Sequence, residues 1–111
     1  MNIEVQKYGA VSLVQPAGPL VGDDARQCKA AIREAIKESL GRVVLDLSGV
    51  SYVDSVALES LLEMSEKLEE SGRTLKLCAV NETVRQVLEL TELAPRFEYF
   101  EDANVATRSF L

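Results

Sequence analysis

Residues 43–64, VVLDLSGVSYVDSVALESLLEM, are the stretch that decides the fold. The stretch begins with the apolar run Val43–Leu47, which has the length and composition of a buried strand. After a short connector comes the pair Asp54-Ser55, two residue types that favour the N-cap of a helix. Leucines then recur at helical spacing, at positions 58, 61 and 62. The sequence therefore predicts a strand, a loop and a helix that meet at Ser55, where the unpaired N–H groups of the helix favour a negative charge.

Length and composition favour one small globular domain. The chain has 111 residues, of which 47% are hydrophobic and 27% are charged, enough for one core but not for two. We therefore expect a single domain over residues 1–111. No apolar run approaches the ~20 residues that a membrane span needs, and the first residues, MNIEVQKYG, alternate like a strand and lack the features of a signal peptide. A cytoplasmic protein without direct membrane insertion is expected.

Charge and residue types limit the possible functions. Eighteen acidic against twelve basic residues give a net charge of −6, which repels the phosphate backbone of nucleic acids. Cys28 and Cys78 each stand in an apolar segment, so we expect buried free thiols. The chain has no histidine, no Cys-x-x-Cys motif and no glycine-rich phosphate-binding motif. The sequence thus indicates a protein that is not an enzyme and has no cofactor or metal site.

The remaining elements alternate between strands and helices. They are a hairpin at 3–14, a helix from 23 to 40, a strand at 43–47, a helix from 55 to 71, a strand at 74–80, a helix from 81 or 83, a strand at 97–100 and a helix after 102. The order β-β-α-β-α-β-α-β-α favours an α/β fold. Its sheet should be mixed and mostly parallel, with four or five strands and about four helices.

Several acidic residues have both a structural and a functional interpretation. Asp46 is expected to bond loop amides, and Asp54 is expected to cap the second helix. That helix also carries an acidic row at steps of four, three and four, formed by Glu59, Glu63, Glu66 and Glu70. A solvated helix face is the simpler interpretation of this row, and a docking surface for a basic partner is the alternative.

The central stretch resembles the core motif of STAS domains, the anti-sigma factor antagonist fold, in which an aspartate-bearing strand leads through φ-D-S-[S/T]-[G/A]-L into a helix. AGPLVGDDA (17–25) is similar to the family's loop before the first helix, and LKLCAVNETVRQVLELTEL (75–93) is similar to its later strand and helix. The resemblance implies a bacterial, non-catalytic signalling domain in transcription regulation. Such a domain binds an anti-sigma factor that is also a serine kinase, and phosphorylation at the start of the second helix ends the binding.

The motif matches at Asp54, Ser55, Ala57 and Leu58 but not at Val56. The resemblance assigns the phosphoacceptor to the second hydroxyl residue, which is Val56 here, and a valine cannot take a phosphate. Ser55 is the remaining candidate and is interpreted as a helix N-cap, which predicts constitutive binding without the phosphorylation switch. The expected partner-binding residues are Asp23, Asp24, Asp54, Ser55, Val56, Ala57 and Glu59.

Two functional interpretations stay open. The first is an anti-sigma factor antagonist or a related adaptor. The second is a STAS subunit or scaffold of a larger assembly, such as a lipid ABC transporter or a sensory complex. The two differ in the expected surface, because a transporter subunit would need a permanently docked apolar face. An enzyme of unknown type is the third class, and the missing catalytic residues argue against it.

Overall fold

A five-stranded sheet with its strands in chain order lies at the centre of the structure, a computed structural model that describes residues 1–111. Its strands are β1 (Asn2–Tyr8), β2 (Val11–Ala17), β3 (Val43–Asp46), β4 (Leu75–Cys78) and β5 (Phe97–Phe100). β1 and β2 pair antiparallel, and the other three pairs are parallel. The predicted hairpin and the mixed, mostly parallel sheet are confirmed.

Four α-helices connect and follow the strands. They are α1 (Gly22–Ser39), α2 (Ser55–Glu69), α3 (Glu82–Leu90) and α4 (Ala103–Arg108), and a 3₁₀ turn at Ala94–Arg96 precedes β5. The order of elements and the start of α2 at Ser55 agree with the sequence prediction. None of the helices combines the length and the apolar character that crossing a bilayer would require.

Helices α1, α2 and α3 cover one face of the sheet, which we call the larger face. Its core is a cluster of 20 buried residues, to which β4 contributes Leu75 and Leu77. Because side chains alternate along a strand, Lys76 and Cys78 point to the opposite face. Leu61 belongs to this core and Leu58 packs against it, as predicted, but Leu62 is only half-buried and lies outside the cluster. The leucine spacing predicts that Leu58, Leu61 and Leu62 share the inward side of α2, and the helix is rotated slightly from that position, away from Leu62.

Helix α4 covers the other face, which we call the smaller face. Its core is a cluster of five buried residues, formed by Val11, Leu13, Val44, Cys78 and Ala106. Asp46 is also buried here, and its Oδ1 accepts a hydrogen bond from Ser48 N at 2.9 Å, which confirms the predicted bond to a loop amide. Its Oδ2 accepts from Gln15 Nε2 at 3.1 Å.

Several strand and helix boundaries differ from the sequence prediction. β2 continues through Pro16 to Ala17 and does not end at residue 14. β4 ends at Cys78 rather than at residue 80, because Ala79 has a left-handed φ of 55° that turns the chain out of the sheet. α2 ends at Glu69, and Gly72, with a φ of 71°, lets Arg73 N donate to Leu68 O. The glycine therefore closes the helix just after the predicted end at residue 71, and the last helical residue, Glu69, comes two positions earlier than predicted.

Candidate functional site

Asp54 holds the starts of two helices together. Its Oδ1 accepts a hydrogen bond from Ala57 N at 3.0 Å and caps α2, while its Oδ2 accepts from Gly22 N at 2.9 Å at the start of α1. Backbone hydrogen bonds of 3.1 Å, from Leu20 N to Tyr52 O and from Asp54 N to Leu20 O, join the two loops in front of these helices. The two helix starts therefore form one connected surface.

The sequence at the start of α1 explains why Asp54 is needed there. The N-cap residue of α1 is Val21, whose side chain has no oxygen and makes no cap hydrogen bond. Gly22 takes a left-handed φ of 49°, which glycine adopts at little cost. The N–H of Gly22 is then satisfied by Asp54, which belongs to another loop. One aspartate thus does for two helices what an N-cap residue usually does for one.

Hydrogen bonds from the backbone N–H groups of Ala57 and Gly22 hold the pKa of Asp54 below its usual value. The cause is that both bonds favour the charged carboxylate over the neutral acid. Asp54 is therefore ionised at neutral pH, and its negative charge lies at the N-terminal end of α2, where the helix dipole stabilises it.

Ser55 is not the N-cap of α2, and the prediction that its hydroxyl caps the first turn is wrong. The cap is Asp54, whose backbone is extended (φ −106°, ψ −174°) and whose side chain reaches the N–H three residues later. Ser55 is the first residue inside the helix, where its side chain is exposed and makes no hydrogen bond within the chain. When two cap-type residues are adjacent, the sequence does not tell which of them is the N-cap, because that depends on the residue at which the backbone becomes helical.

The start of α3 is joined to the same region. Asn81 caps α3 by accepting a hydrogen bond from Val84 N at 2.8 Å, and its Nδ2 donates to the carbonyl groups of Val50 and Ser51 at 3.1 and 3.2 Å. The starts of α1, α2 and α3 all follow the carboxyl ends of parallel strands. In open α/β sheets this edge is where binding sites usually form.

The structure brings most of the predicted partner-binding residues to this edge. Asp23 and Asp24 lie in the first turn of α1, where Asp23 pairs with Arg26 at 2.6 Å. Glu59 is exposed on α2, and Val56 is half-buried against the larger core. The side chain of Ala57, however, is buried, so it cannot contact a partner, and only its backbone N–H contributes, to the Asp54 cap.

Tyr52 is a surface residue that the sequence interpretation missed. Its side chain is 50% exposed in the loop just before Asp54. An aromatic residue between a strand and a capped helix was the available signal, because large apolar side chains on functional loops commonly make contacts. We define the α1–α2 platform as the exposed or half-exposed side chains of Asp23, Tyr52, Ser55, Val56 and Glu59.

The acidic row of α2 is exposed along its whole length. Glu63 forms an ion pair with Lys29 of α1 at 3.1 Å, a neighbour that the sequence did not indicate. Glu59, Glu66 and Glu70 form no ion pair in the structure.

Neither cysteine has the environment of a reactive nucleophile. Burial raises the pKa of the Cys28 and Cys78 thiols to about 12, with the nearby Asp46 carboxylate adding to the effect at Cys78. Both cysteines are free and buried, as the sequence predicted, and a thiol is a poor nucleophile while it stays protonated. No group of three or more carboxylate, thiol or imidazole side chains converges in a way that could hold a metal ion.

Comparison with known proteins places this geometry in a family. The model of the STAS domain family matches residues 2–106. BtrV of Bordetella bronchiseptica, assigned as an anti-sigma factor antagonist, is 24% identical over 110 residues, which are 99% of this chain and 95% of BtrV.

Solved structures show the same fold. An anti-sigma factor antagonist of Mycobacterium paratuberculosis has a TM-score of 0.81 at 27% identity, over 97% of this chain and 92% of that one. A protein of Thermotoga maritima assigned to the same class has a TM-score of 0.86 at 22% identity, over 96% of this chain and 92% of that one. The family match spans nearly the whole chain, and the fold agrees with it. The chain belongs to the STAS domain family.

Proposed function

We propose that this protein is a cytoplasmic regulatory domain of the anti-sigma factor antagonist type, and that it binds an anti-sigma factor with serine kinase activity through the α1–α2 platform. The observation that carries this proposal is the double hydrogen bond of Asp54, to Ala57 N and to Gly22 N. It fixes two helix starts relative to each other before any partner arrives. A preformed surface lowers the entropic cost of binding, which suits a domain whose role is recognition.

The chemistry of the platform supports a protein partner of defined character. Tyr52 and the half-buried Val56 offer apolar contact area, and the carboxylates of Asp23 and Glu59 flank it. An apolar centre with a charged rim is the common anatomy of a protein interface. The partner should therefore present an apolar patch with basic residues around it, which also agrees with the net charge of −6 on this chain.

The substitution Val56→Asp tests the docking surface. A carboxylate placed in an apolar contact loses its water without gaining an opposite charge. We therefore expect the affinity for the cognate anti-sigma factor to fall by at least about tenfold. Val105→Asp is the matched control, because it puts the same charge on an exposed valine of α4, away from the platform. Calorimetric titration of the three proteins gives the affinities, and circular dichroism checks the fold. Equal affinities would move the interface elsewhere, with the acidic row from Glu59 to Glu70 as the next surface to test.

We further propose that Ser55 is the residue through which a kinase would regulate this binding. The expectation of constitutive binding depended on Val56, which has no hydroxyl at the usual acceptor position, and on Ser55 as the cap. With Asp54 as the cap, the Ser55 hydroxyl is exposed and unbonded. A phosphate there would add about −1.5 to −2 charges beside the Asp54 carboxylate and next to the apolar contact at Val56. Repulsion and desolvation would then oppose docking.

Incubation with the partner kinase and ATP, followed by intact-mass measurement, tests the role of Ser55. We expect one phosphate on the wild type and on Val56→Ser, and none on Ser55→Ala. A wild type without phosphate and a Val56→Ser variant with one would instead support constitutive binding. A phosphate that remains on Ser55→Ala would place the modification elsewhere. Stable association with a transporter subunit and none with an anti-sigma factor would favour the scaffold alternative.

A further inference from the structure

Lys76 is a buried cation without a counter-charge. It lies on the smaller face and is only 9% exposed. Its Nζ donates a hydrogen bond to Ser109 Oγ at 2.7 Å and lies 3.8 Å from the ring centre of Phe110 and 5.5 Å from that of Phe100. No carboxylate of the chain forms an ion pair with it. The two ring contacts are cation–π interactions that offset part of the cost of burying the ammonium group, but no anion neutralises its charge.

The same lysine lines an open cleft of about 200 Å³. The cleft, which we call the Lys76 cleft, is lined by Gly72, Arg73, Thr74, Lys76, Glu98 and Phe110. Arg73 forms no ion pair either, and Glu98, which faces Lys76 across the β4–β5 pair, does not reach ion-pair distance. Two cations against one carboxylate leave the lining net positive in a chain whose total charge is −6.

The Lys76 cleft is separate from the α1–α2 platform. Residues 72–74 lie just before β4 and therefore at the edge of the sheet where the parallel strands begin. The platform follows the carboxyl ends of the strands, at the opposite edge. A ligand in the cleft would therefore leave the platform free.

We propose that the Lys76 cleft binds a small molecule with an anionic head group, either a phosphate ester or a carboxylate, on an aromatic or apolar body. The head group pairs with Lys76 Nζ, because an ammonium has three donors and Ser109 accepts only one of them. The body packs on the Phe110 ring, which forms the apolar wall of the cleft. The ligand thus supplies the missing counter-charge, and a charge-assisted hydrogen bond of this kind is stronger than a neutral one.

Titration of the ¹⁵N-labelled wild type by two-dimensional NMR tests the proposal directly. The probes are phenyl phosphate and benzoate, with phenol as the neutral control of similar size. We expect saturable shifts of the Thr74, Lys76 and Phe110 amides with the anions and none with phenol, and the tighter of the two anions identifies the head group. Absence of saturable shifts, shifts confined to the platform, or equal binding of phenol would overturn the proposal.

Variants locate the binding charge. Lys76→Met keeps the length and volume of the side chain, and we expect it to weaken anion binding by at least about tenfold. Lys67→Met is the matched control on an exposed lysine of α2 and should bind as the wild type does. Ser109→Ala removes the hydroxyl that competes with the ligand for Lys76 Nζ and leaves the charge of Lys76 in place. Anion binding by this variant should therefore be unchanged or tighter. Wild-type affinity in Lys76→Met, or a clear loss in Ser109→Ala, would contradict the assignment.

Discussion

Three helices cover one face of the sheet and a single six-residue helix covers the other, and the buried polar groups differ accordingly. The larger face has an apolar core of 20 residues, whereas the smaller face has five, and both buried charged residues, Asp46 and Lys76, lie on the smaller side. A thin cover leaves polar groups close to solvent, which lowers the cost of keeping charge inside. We therefore expect the larger face to contribute most of the free energy of unfolding, and the smaller face to be the one that can accommodate a bound ligand.

The largest expected effect is on the larger face. Leu61 is 2% exposed in the main core, so Leu61→Ala should lower the free energy of unfolding by about 2 to 5 kcal/mol through lost transfer energy and the cavity that remains. Glu63→Ala, two residues later on the exposed side, should change it by less than about 0.5 kcal/mol, because a surface ion pair contributes little. Urea midpoints measure both. Equal losses would mean that α2 is rotated from the position described.

The same substitution on the smaller face should cost less. Leu13 is also 2% exposed, but it borders an open cleft between β2 and α4. The site can therefore relax or admit water when the side chain is truncated, and we expect Leu13→Ala to cost about 2 kcal/mol, near the low end of the range for such changes. Urea unfolding of Leu13→Ala and Leu61→Ala under identical conditions gives the two losses of unfolding free energy to be compared. A larger loss for Leu13→Ala would show that the smaller face is the more rigid one.

Thiol labelling should separate the two faces by their local opening. Cys28 is a residue of α1 and faces the core of the larger face, whereas Cys78 is a residue of β4 and lies beneath α4 on the smaller face. Both thiols should react far more slowly in the native state than in urea, because burial raises the pKa of each to about 12. Opening of a six-residue helix is easier than global unfolding, so Cys78 should label at least about tenfold faster than Cys28. Mass spectrometry of peptides from pulse-labelled protein gives both rates; similar rates would indicate that both faces open together.

The smallest expected effect concerns two helix caps. Asp54 accepts hydrogen bonds at the starts of two helices, whereas Asp102 caps only α4, through Val105 N at 2.9 Å. The folded pKa of Asp54 is lowered, so its contribution to stability is present above the unfolded value of about 3.9 and is lost as pH falls through the folded value. The stability difference between wild type and Asp54→Asn should therefore shrink between neutral pH and pH values well below 4.

Asp102→Asn is the control for this pH dependence. Its cap makes one hydrogen bond and its side chain is exposed, so the substitution should change stability less than Asp54→Asn does at neutral pH. Thermal unfolding across the acid range measures both variants against the wild type. If the stability difference between wild type and Asp54→Asn stayed constant with pH, the charge of the Asp54 carboxylate would contribute nothing to stability.

Local patterns in the sequence were sufficient to predict the elements but not the face on which each side chain lies. Leucine spacing located α2, and the apolar runs located β3 and β4, because both patterns depend only on residues near one another in the chain. The environment of Lys76 depends on where α4 packs, more than 25 residues later, and no local period contains that information. The predicted cap at Asp54 is confirmed, but the additional cap role predicted for Ser55 is wrong for the opposite reason, since it depends on the backbone dihedral angles of a single residue.

The order β1-β2-β3-β4-β5 has a consequence for synthesis on the ribosome. Every strand after β1 pairs with the strand that precedes it in the chain. When such a strand leaves the ribosome, the strand with which it pairs has therefore already been synthesised. The sheet can therefore grow in one direction as the chain lengthens, with little loop entropy to overcome at each step. At each stage the newest strand is the growing edge of the sheet, and in the finished chain that edge strand is β5.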